Sequence, residues 1–162
     1  MPEKHRESDV DKSKESTAPK GKSAGFRWVW PGLLVLALDR LVKWLHQEIS
    51  QRPTVRNTGM AFGMFQGNSA GILIVSVLLL AACFFLLRKM KPSGLAPVAL
   101  SMIAGGAVGN MIDRLLHGYV IDMFPFFGWF VFNVADVGVV AGAILCGWSL
   151  LFRPADWSKK EQ

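Results

Sequence analysis

The residues that build most hydrolytic and metal sites are scarce in this sequence. It contains two cysteines and three histidines, with no C-x-x-C pair and no histidines at metal-ligand spacing. A zinc site or a redox centre is therefore not expected, and we predict no metal and no other cofactor. The motifs G-x-S-x-G and H-E-x-x-H are absent, as is a catalytic set of cysteine and histidine. This argues against hydrolysis by a serine, a cysteine or a bound metal.

Basic residues outnumber acidic ones, and the formal net charge is +6. A basic balance of this kind can indicate nucleic-acid binding. The basic residues lie beside apolar blocks instead, and no nucleic-acid motif with interleaved aromatic residues is present. Membrane topology explains this placement better, and we expect no nucleic-acid partner.

Long uncharged runs dominate the rest of the chain. Hydrophobic residues make up 51% of the sequence, and residues 71–87 carry no charge at all. A transmembrane helix needs about 20 mostly apolar residues. Four apolar blocks therefore predict an all-α membrane protein with a bundle of four transmembrane helices, at about 28–47, 69–87, 95–116 and 129–152.

The first apolar block is the weakest of the four. Its uncharged core runs only from Trp28 to Leu38 before charged residues begin. A secretory signal peptide is the alternative, with a basic segment followed by a short apolar one. The preceding polar segment is long and carries acids, and no small-residue cleavage site follows. A helix whose outer turn carries polar residues is the favoured interpretation.

The two ends of the chain are polar. Residues 1–25 are rich in Lys, Glu and Ser and lack aromatics, which predicts a disordered tail. We assign 26–153 to the membrane domain and 154–162 to a C-terminal tail. Thirteen of the 18 Lys and Arg residues lie before the first apolar block, in the 88–91 turn or from Arg153 to the end of the sequence. The positive-inside rule then predicts that both termini are cytoplasmic and that the 48–68 and 117–128 connections face outward.

Polar side chains within the apolar blocks fall at the end that this topology places outside. They are Asp39 and Lys43 in the first block, Asn110, Asp113 and Arg114 in the third, Asp122 just beyond it, and Asn133 and Asp136 at the start of the fourth helix. Ionisable groups at membrane depth are costly and normally face a bundle interior or a cavity. This end of the bundle is therefore the predicted functional site.

Helical spacing gives an expectation for several of these side chains. Asp39 and Lys43 are four residues apart with the acid first, which favours an ion pair, although Asp39 could equally lie at the edge of the site. Asn110 and Arg114 share a helix face, and Arg114 could hold a loop carbonyl or a carboxylate. Asp113 lies on a different face of the helix from Asn110 and Arg114, and we interpret it as a residue with a structural role.

Asp122 and Asp136 are two carboxylates that the chain can bring together. The connection between them contains F-P-F-F-G-W-F, whose Pro125 and Gly128 are turn formers, and we expect its rings at the membrane interface. Two acids a few ångströms apart cannot both ionise cheaply, so one keeps its proton and the pair titrates as a unit. Such a pair can hydrolyse a peptide bond with water. Asn133, three residues before Asp136, is expected to face inward with it.

Small residues recur at helical spacing in the third and fourth blocks. Gly105 and Gly109 form a GxxxG pair, as do Gly138 and Gly142. Small residues allow helices to approach closely within lipid, so we expect these four glycines at helix contacts.

Two other classes of protein fit part of this pattern. A small proton-coupled transporter also has intramembrane acids, but transporters usually show internal repeats or helices broken near the midplane. No repeat is visible here, and the polar residues gather at one end. A small scaffold whose polar residues only join helices is the third possibility.

Four motifs in this order resemble the signal peptidase II family, the bacterial lipoprotein signal peptidases. They are DRLVK at 39–43, VRNTGMAFG at 55–63, GGAVGNMIDR at 105–114 with GYVID at 118–122, and FNVAD at 132–136. The resemblance implies four transmembrane helices with a small extracytoplasmic β-rich cradle, and a catalytic dyad of Asp122 and Asp136. It also implies supporting or substrate-binding roles for Asp39, Lys43, Asn57, Gly59, Asn110, Arg114 and Asn133.

The same resemblance implies a substrate and a location. The substrate would be a prolipoprotein that carries diacylglycerol on its lipobox cysteine, cut just before that cysteine, with membrane lipid as a further partner and the cyclic peptide globomycin as an inhibitor. The protein would lie in the bacterial inner membrane with its site facing outward. The chain departs from the family pattern in its longer polar tail, in Met60 and in a short connection with Pro125.

Overall fold

A computed structural model describes residues 28–50, 54–59, 67–89 and 92–157. The elements are α1 (Trp30–Glu48), β1 (Val55–Asn57), α2 (Ser69–Lys89), α3 (Ala96–His117), β2 (Val120–Asp122), β3 (Phe124–Phe126), β4 (Phe130–Phe132), α4 (Val134–Phe152) and a final 3-10 turn (Pro154–Asp156). The predicted fold class is confirmed as a helical bundle with small antiparallel sheets. The predicted tail over 1–25 and Met60 lie outside the described residues.

Three of the described helices are long and apolar enough to cross a membrane, namely α2 over Ala70–Lys89, α3 and α4. Helix α1 is not apolar enough in composition to count as a candidate membrane span, because it carries charged residues. Two of these, Asp39 and Lys43, are buried. Its exposed surface is apolar instead, with Leu34 59% and Trp44 56% exposed. The first block therefore forms a helix of the same bundle, with its charges turned inward and an apolar surface turned outward.

Helix α3 packs against each of the other three helices. A Cβ atom at Gly105 would overlap the carbonyl oxygen of Gly32, so the backbones of α1 and α3 are in direct contact there. A Cβ atom at Gly142 would lie 2.7 Å from Cγ1 of Ile103, where α4 meets α3. The expectation that the GxxxG pairs mark helix contacts is confirmed.

The fourth helix starts later than its apolar block. The sequence places that block at 129–152, whereas α4 begins at Val134 because Phe130–Phe132 forms β4. Strand β4 pairs with β3, with Phe124 opposite Phe132. Asn133 then caps the helix, since its side chain accepts a hydrogen bond from the Asp136 amide. In the sequence, an apolar strand of three residues directly before an apolar helix cannot be distinguished from the first turn of that helix.

Two short antiparallel pairs make up the β structure. Strand β1 pairs with β2 in a register that sets Val55 opposite Asp122 and Asn57 opposite Val120. Strands β3 and β4 form a hairpin that follows directly. Helix α3 ends just before β2, where Gly118 adopts a left-handed φ of 78° and donates its amide to the Arg114 carbonyl. This turn directs the chain into the strand that carries Asp122.

The chain remains packed beyond the last helix. Residues 154–162 are assigned to a tail by the sequence, but Trp157 is 7% exposed and lies in an apolar cluster with Cys83 and Leu100. Its Nε1 donates to Oγ of Ser149 over 3.1 Å. The carboxylate of Asp156 accepts the Leu95 amide at the start of α3 over 3.1 Å. The packed part therefore extends to residue 157.

Candidate active site

The predicted site residues gather at one end of the bundle. This end is formed by the second half of α1, the last turns of α3, the first turn of α4 and strands β1 and β2. All nine of the predicted residues are described, and they are Asp39, Lys43, Asn57, Gly59, Asn110, Arg114, Asp122, Asn133 and Asp136. The predicted clustering of polar groups at one end is thus present in the structure.

Asp122 ends β2 and is 1% exposed. Its Oδ2 accepts a hydrogen bond of 2.8 Å from Nδ2 of Asn57, which comes from the paired strand β1. Its Oδ1 accepts one of 2.7 Å from Nδ2 of Asn133. Two amide groups from separate parts of the chain therefore hold both oxygens of this buried carboxylate.

Asp136 lies in the first turn of α4 and is half-buried. Its Oδ1 accepts a hydrogen bond of 2.7 Å from Nδ2 of Asn110 on α3. Its Oδ2 accepts the backbone amide of Asn133 over 3.2 Å, while Oδ1 of Asn133 accepts the Asp136 amide over 2.9 Å. This reciprocal capping box fixes the carboxylate against the helix N-terminus.

Asn133 joins the two acids into one cluster. Its Nδ2 donates to Asp122 and also to Oδ1 of Asn110 over 3.0 Å, and Asn110 in turn donates to Asp136. Both hydrogens of the Asn133 amide are thus used, which sets its orientation. Donors reach all four carboxylate oxygens of Asp122 and Asp136, so the contacts alone single out neither acid as the proton holder.

The environment of Asp122 favours its neutral form. Burial raises the pKa of Asp122 to about 6, against the hydrogen bonds from Asn57 and Asn133, which lower it. Repulsion from Asp136 raises the pKa further, and the positive charge of Lys43 lowers it. A carboxyl that titrates near neutrality can both hold and release a proton at modest cost.

A buried ionic cluster lies beside these acids. Nζ of Lys43 is 2.9 Å from Oδ2 of Asp39 and 2.6 Å from Oδ2 of Asp113. Nη2 of Arg40 is 2.6 Å from Asp39 and 2.7 Å from Oδ1 of Asp113. The expected pair of Asp39 and Lys43 is present, and Asp113 is the structural partner that its different direction on α3 suggested.

The ionic cluster holds the backbone next to each acid. Oδ1 of Asp39 accepts the amide of Ala135, the residue before Asp136, over 3.0 Å. Oδ2 of Asp113 accepts the amide of Ile121, the residue before Asp122, over 3.1 Å. Sequence reasoning did not foresee this role, because neither contact follows from helical spacing.

Arg40 is a further residue of the site that the sequence prediction missed. It belongs to the DRLVK motif, but its neighbour Asp39 lies about 100° around the helix, so spacing alone predicts no contact between them. In the structure its guanidinium reaches both Asp39 and Asp113 and also donates to the Gly109 carbonyl over 3.0 Å. Arg40 therefore completes the charge balance of the ionic cluster.

Arg114 holds the turn that follows β1. Its Nη2 donates to the Gly59 carbonyl over 2.8 Å, and the Gly59 amide donates to Oδ1 of Asn57 over 2.9 Å. Of the two partners considered for Arg114, a loop carbonyl or a carboxylate, the structure contains the hydrogen bond to the carbonyl. The turn is thereby tied to the same Asn57 that donates to Asp122.

Within the described ranges, no group of three or more His, Cys, Asp or Glu side chains could hold a metal ion. The acidic side chains of the site are instead occupied by amide and ammonium or guanidinium donors.

A family model for signal peptidase (SPase) II matches residues 32–152, which is more than half of the chain. The chain belongs to the signal peptidase II family. The resemblance inferred from the four motifs is thus confirmed, and the match contains both acids and the ionic cluster.

Signal peptidase II relatives match most of the chain. The lipoprotein signal peptidase of Halothermothrix orenii is 35% identical over 126 residues, which cover 70% of this chain and 87% of the relative. That of Moorella thermoacetica is 35% identical over 144 residues, which cover 79% and 95%. A solved structure of a bacterial membrane enzyme has a TM-score of 0.71 at 26% identity and covers 83% of this chain and 93% of its own. These comparisons favour a peptidase over the proton-coupled transporter considered from the sequence.

Proposed function

We propose that this signal peptidase II is an aspartyl endopeptidase that uses Asp122 and Asp136. Its substrates would be prolipoproteins with diacylglycerol on the lipobox cysteine, cut just before that cysteine. The observation that carries the proposal is the cluster in which Asn133 joins the two carboxylates at one end of the bundle. Family membership supports the peptidase activity, and the cluster supports its aspartic type.

The reaction follows from a pair that holds one proton between two acids. The ionised acid takes a proton from water as the water oxygen attacks the scissile carbonyl carbon. The neutral acid gives its proton to the carbonyl oxygen, which produces a tetrahedral gem-diol. Collapse of the gem-diol breaks the carbon–nitrogen bond as the proton held by the pair passes to the leaving amine nitrogen, and one gem-diol hydroxyl gives its proton back to the pair. The pair then again holds one proton.

The two acids differ in burial, which indicates the side from which the substrate reaches them. Asp122 is almost fully buried, whereas Asp136 is only half-buried, so water and a peptide would approach from the Asp136 side. Asn57 and Asn110 are side-chain donors to the carboxylates, and Arg114 positions the turn at Gly59. An apolar surrounding that admits a single water also strengthens the electrostatic interactions inside it.

The position of the site suits a lipid-modified substrate. Such a substrate has its acyl chains in the bilayer and its scissile bond near the membrane surface. Asp122 and Asp136 lie where α3 ends and α4 begins, at the same end of two helices that could span a membrane. A site at this level would meet the bond without lifting the acyl chains out of the lipid.

The distribution of charge supports an orientation in the bacterial inner membrane. Arg88, Lys89 and Arg153 lie at the end of the bundle opposite the two acids. By the positive-inside rule that end is cytoplasmic, so both termini are cytoplasmic and the site faces the exterior. The segments 1–25 and 158–162 would then be cytoplasmic tails of the membrane domain.

The decisive experiment is cleavage of a diacylglyceryl-modified prolipoprotein by purified wild type, Asp122→Asn and Asp136→Asn. Each variant should lose at least about 1,000-fold in rate, because neither Asn can exchange a proton. Glu48→Gln, on the exposed end of α1, is the matched control and should cleave at the wild-type rate. Globomycin should inhibit wild type and the control alike.

Thermal unfolding in detergent separates chemistry from folding in this experiment. Both Asn variants should still unfold cooperatively in detergent, because Asn keeps the size of Asp, although it accepts only one of the two hydrogen bonds that each carboxylate accepts. Wild-type cleavage rates in both variants would refute the dyad.

A further inference from the structure

The β3–β4 hairpin presents an aromatic tip that the proposed chemistry does not use. Phe127 and Trp129 are 86% and 84% exposed, the two most exposed large hydrophobic side chains of the described chain. The hairpin directly connects β2, which carries Asp122, to α4, which carries Asp136. Any contact at the tip is therefore linked through a short stretch of chain to both acids.

The turn holds this tip outward. Phe127 has a φ of 47°, the only positive value for a residue other than glycine in the described ranges, and Gly128 follows with a φ of 77°. The Trp129 amide closes the turn by donating to the Phe126 carbonyl over 2.9 Å. A bulky aromatic in the left-handed region is strained. The Phe127 ring makes an edge contact with the Phe126 ring, with centroids 4.8 Å apart, and is otherwise open to its surroundings.

The base of the hairpin is ordered by its own rings and by the site. Phe126 stacks on Phe130 with ring centroids 5.1 Å apart, and Phe124 lies 5.6 Å from Phe132. The amide of Met123 donates to the Phe132 carbonyl over 3.1 Å. The base is thus continuous with the buried residues of the site, and the tip has a defined position relative to them.

The length of the hairpin limits how far its tip can lie from the bundle. Strands of three residues at about 3.3 Å per residue reach roughly 10 Å from Asp122 and Asn133. The polar headgroup layer on one side of a bilayer is about 5–8 Å thick. Since α3 and α4 end at this level, a tip within such a distance lies in or beside the headgroup layer.

The chemistry around the tip fits lipid rather than a charged partner. No charged residue occurs between Asp122 and Asp136. Exposed apolar side chains also occur at the ends of both helices, with Leu116 70% and Val137 51% exposed. Aromatic side chains are favoured where hydrocarbon meets headgroups. Exposed apolar side chains therefore lie both on the hairpin and at the ends of the two helices that it follows and precedes.

We propose that Phe127 and Trp129 form a lipid anchor that inserts among the phospholipid headgroups on the side of the site. The anchor sets the depth at which Asp122 and Asp136 sit relative to the bilayer surface. The lipid contact itself does not depend on the proposed peptidase activity. The effect of the anchor on the cleavage rate does rest on that proposed activity.

Quenching by brominated phospholipids tests the contact on the full chain. Wild type and Trp129→Phe are placed in nanodiscs of phosphatidylglycerol and phosphatidylethanolamine, brominated either near the headgroup or near the chain end. The difference in tryptophan fluorescence between wild type and the variant is the signal of Trp129. Shallow bromines should quench at least half of that signal, and deep bromines clearly less. Trp157→Phe, which removes a ring 7% exposed, is the control whose signal neither lipid should quench.

Two results would overturn the anchor. Absence of quenching by either lipid would place Trp129 in water or against protein, including a second copy. Stronger quenching by deep bromines would place the hairpin in the hydrocarbon core.

Cleavage by the double variant Phe127→Ser, Trp129→Ser tests the depth role separately. Its rate should fall at least about fivefold in nanodiscs and equal wild type in detergent micelles. Equal rates in both media would refute the depth role. If wild type itself did not cleave, the proposed function would fail while the quenching result stood.

Discussion

The side-chain amide of Asn133 donates to Oδ1 of Asp122 over 2.7 Å. The oxygen of the same side chain accepts the backbone amide of Asp136 over 2.9 Å. One fully buried residue therefore sets the position of both carboxylates. Together with the donors Asn57 and Asn110, this bridge sets the positions of the two acids relative to each other.

Replacing Asn133 by alanine should separate catalysis from stability. The change removes the bridge and the cap of α4, and misplacing a reacting group by about 1 Å can cost roughly 100-fold in rate. We expect kcat to fall by about 100-fold and stability by about 1 kcal/mol, the usual worth of an N-cap. Cleavage assays and thermal unfolding in detergent measure the two effects. Asn133→Ser keeps a capping oxygen but loses the donor to Asp122, so it should lose less stability than alanine and a similar amount of activity; full activity in either variant would contradict the bridge.

The pH dependence of cleavage should report Asp122. Burial, and with it repulsion from Asp136, raises the pKa of Asp122 to about 6. Because this value includes a charged neighbour, it describes release of the last proton held by the pair. The proton is present below that pH and lost above it, so kcat/KM should decline as the pH rises through about 6.

Asn57→Ala should shift this decline. Nδ2 of Asn57 donates to the carboxylate of Asp122 and so favours its ionised form. Hydrogen bonds to charged groups contribute roughly 1.5–3 kcal/mol, so the decline should move to higher pH by about one to two units. The pH profile of kcat/KM for wild type and variant tests this, and a shift to lower pH would show the sign to be wrong.

The ionic cluster should tolerate the loss of two opposite charges better than the loss of one. Asp39, Asp113, Arg40 and Lys43 balance in charge, and three of them are almost fully buried. Asp113→Asn leaves an excess positive charge and should cost about 3–5 kcal/mol. Adding Lys43→Met restores the balance and should recover at least half of that loss. Thermal unfolding in detergent measures both, and a double variant less stable than the single one would contradict this account.

The contact between α1 and α3 should be intolerant of even one methyl group. A Cβ at Gly105 overlaps the carbonyl oxygen of Gly32, and backbone atoms cannot rotate away. Gly105→Ala should therefore lower stability by about 2 kcal/mol. Gly147→Ala is the matched control on α4, where no described atom lies within 4 Å of the added Cβ. It should leave the unfolding temperature unchanged or higher, since alanine is the better helix former; similar losses in both variants would remove the packing argument.

The segment after α4 should contribute to stability and not to catalysis. Trp157 is buried against Cys83 and Leu100 and donates to Ser149, at the end of the bundle opposite the acids. Trp157→Ala should cost about 3–5 kcal/mol in unfolding while kcat of the folded protein is unchanged. Trp148→Ala removes a ring that is 54% exposed and should cost much less. Equal losses in the two variants would show that the segment is not packed.

Helix positions were largely predictable from the sequence, because an uncharged run of sufficient length has few alternatives. The blocks at 69–87 and 95–116 differ from α2 and α3 by no more than two residues at either end. The fourth apolar block began five residues before α4, since Phe130–Phe132 is as apolar in a strand as in a helix, although the placement of Asn133 and Asp136 at the helix start is confirmed. The pairing of Asp39 with Lys43 was predictable because it is local to one helix turn.

Contacts between distant parts of the chain were not predictable in the same way. Asp39 accepts the amide of Ala135, and Arg40 reaches Asp113, although spacing within α1 suggests neither contact. Periodicity describes one element at a time, whereas these hydrogen bonds depend on how α1, α3 and α4 pack.

Sequence alone was enough to indicate a membrane bundle, the end at which its polar groups collect, and the two acids that a peptidase would use. Hydrophobic run length and helical spacing are local properties, and the chain displays them before it folds. Which amide holds which carboxylate, and that Asn133 bridges Asp122 to Asp136, was decided only by tertiary packing. Hydrogen bonds require donors within about 3 Å of their acceptors, and only the packed helices and strands bring these groups that close.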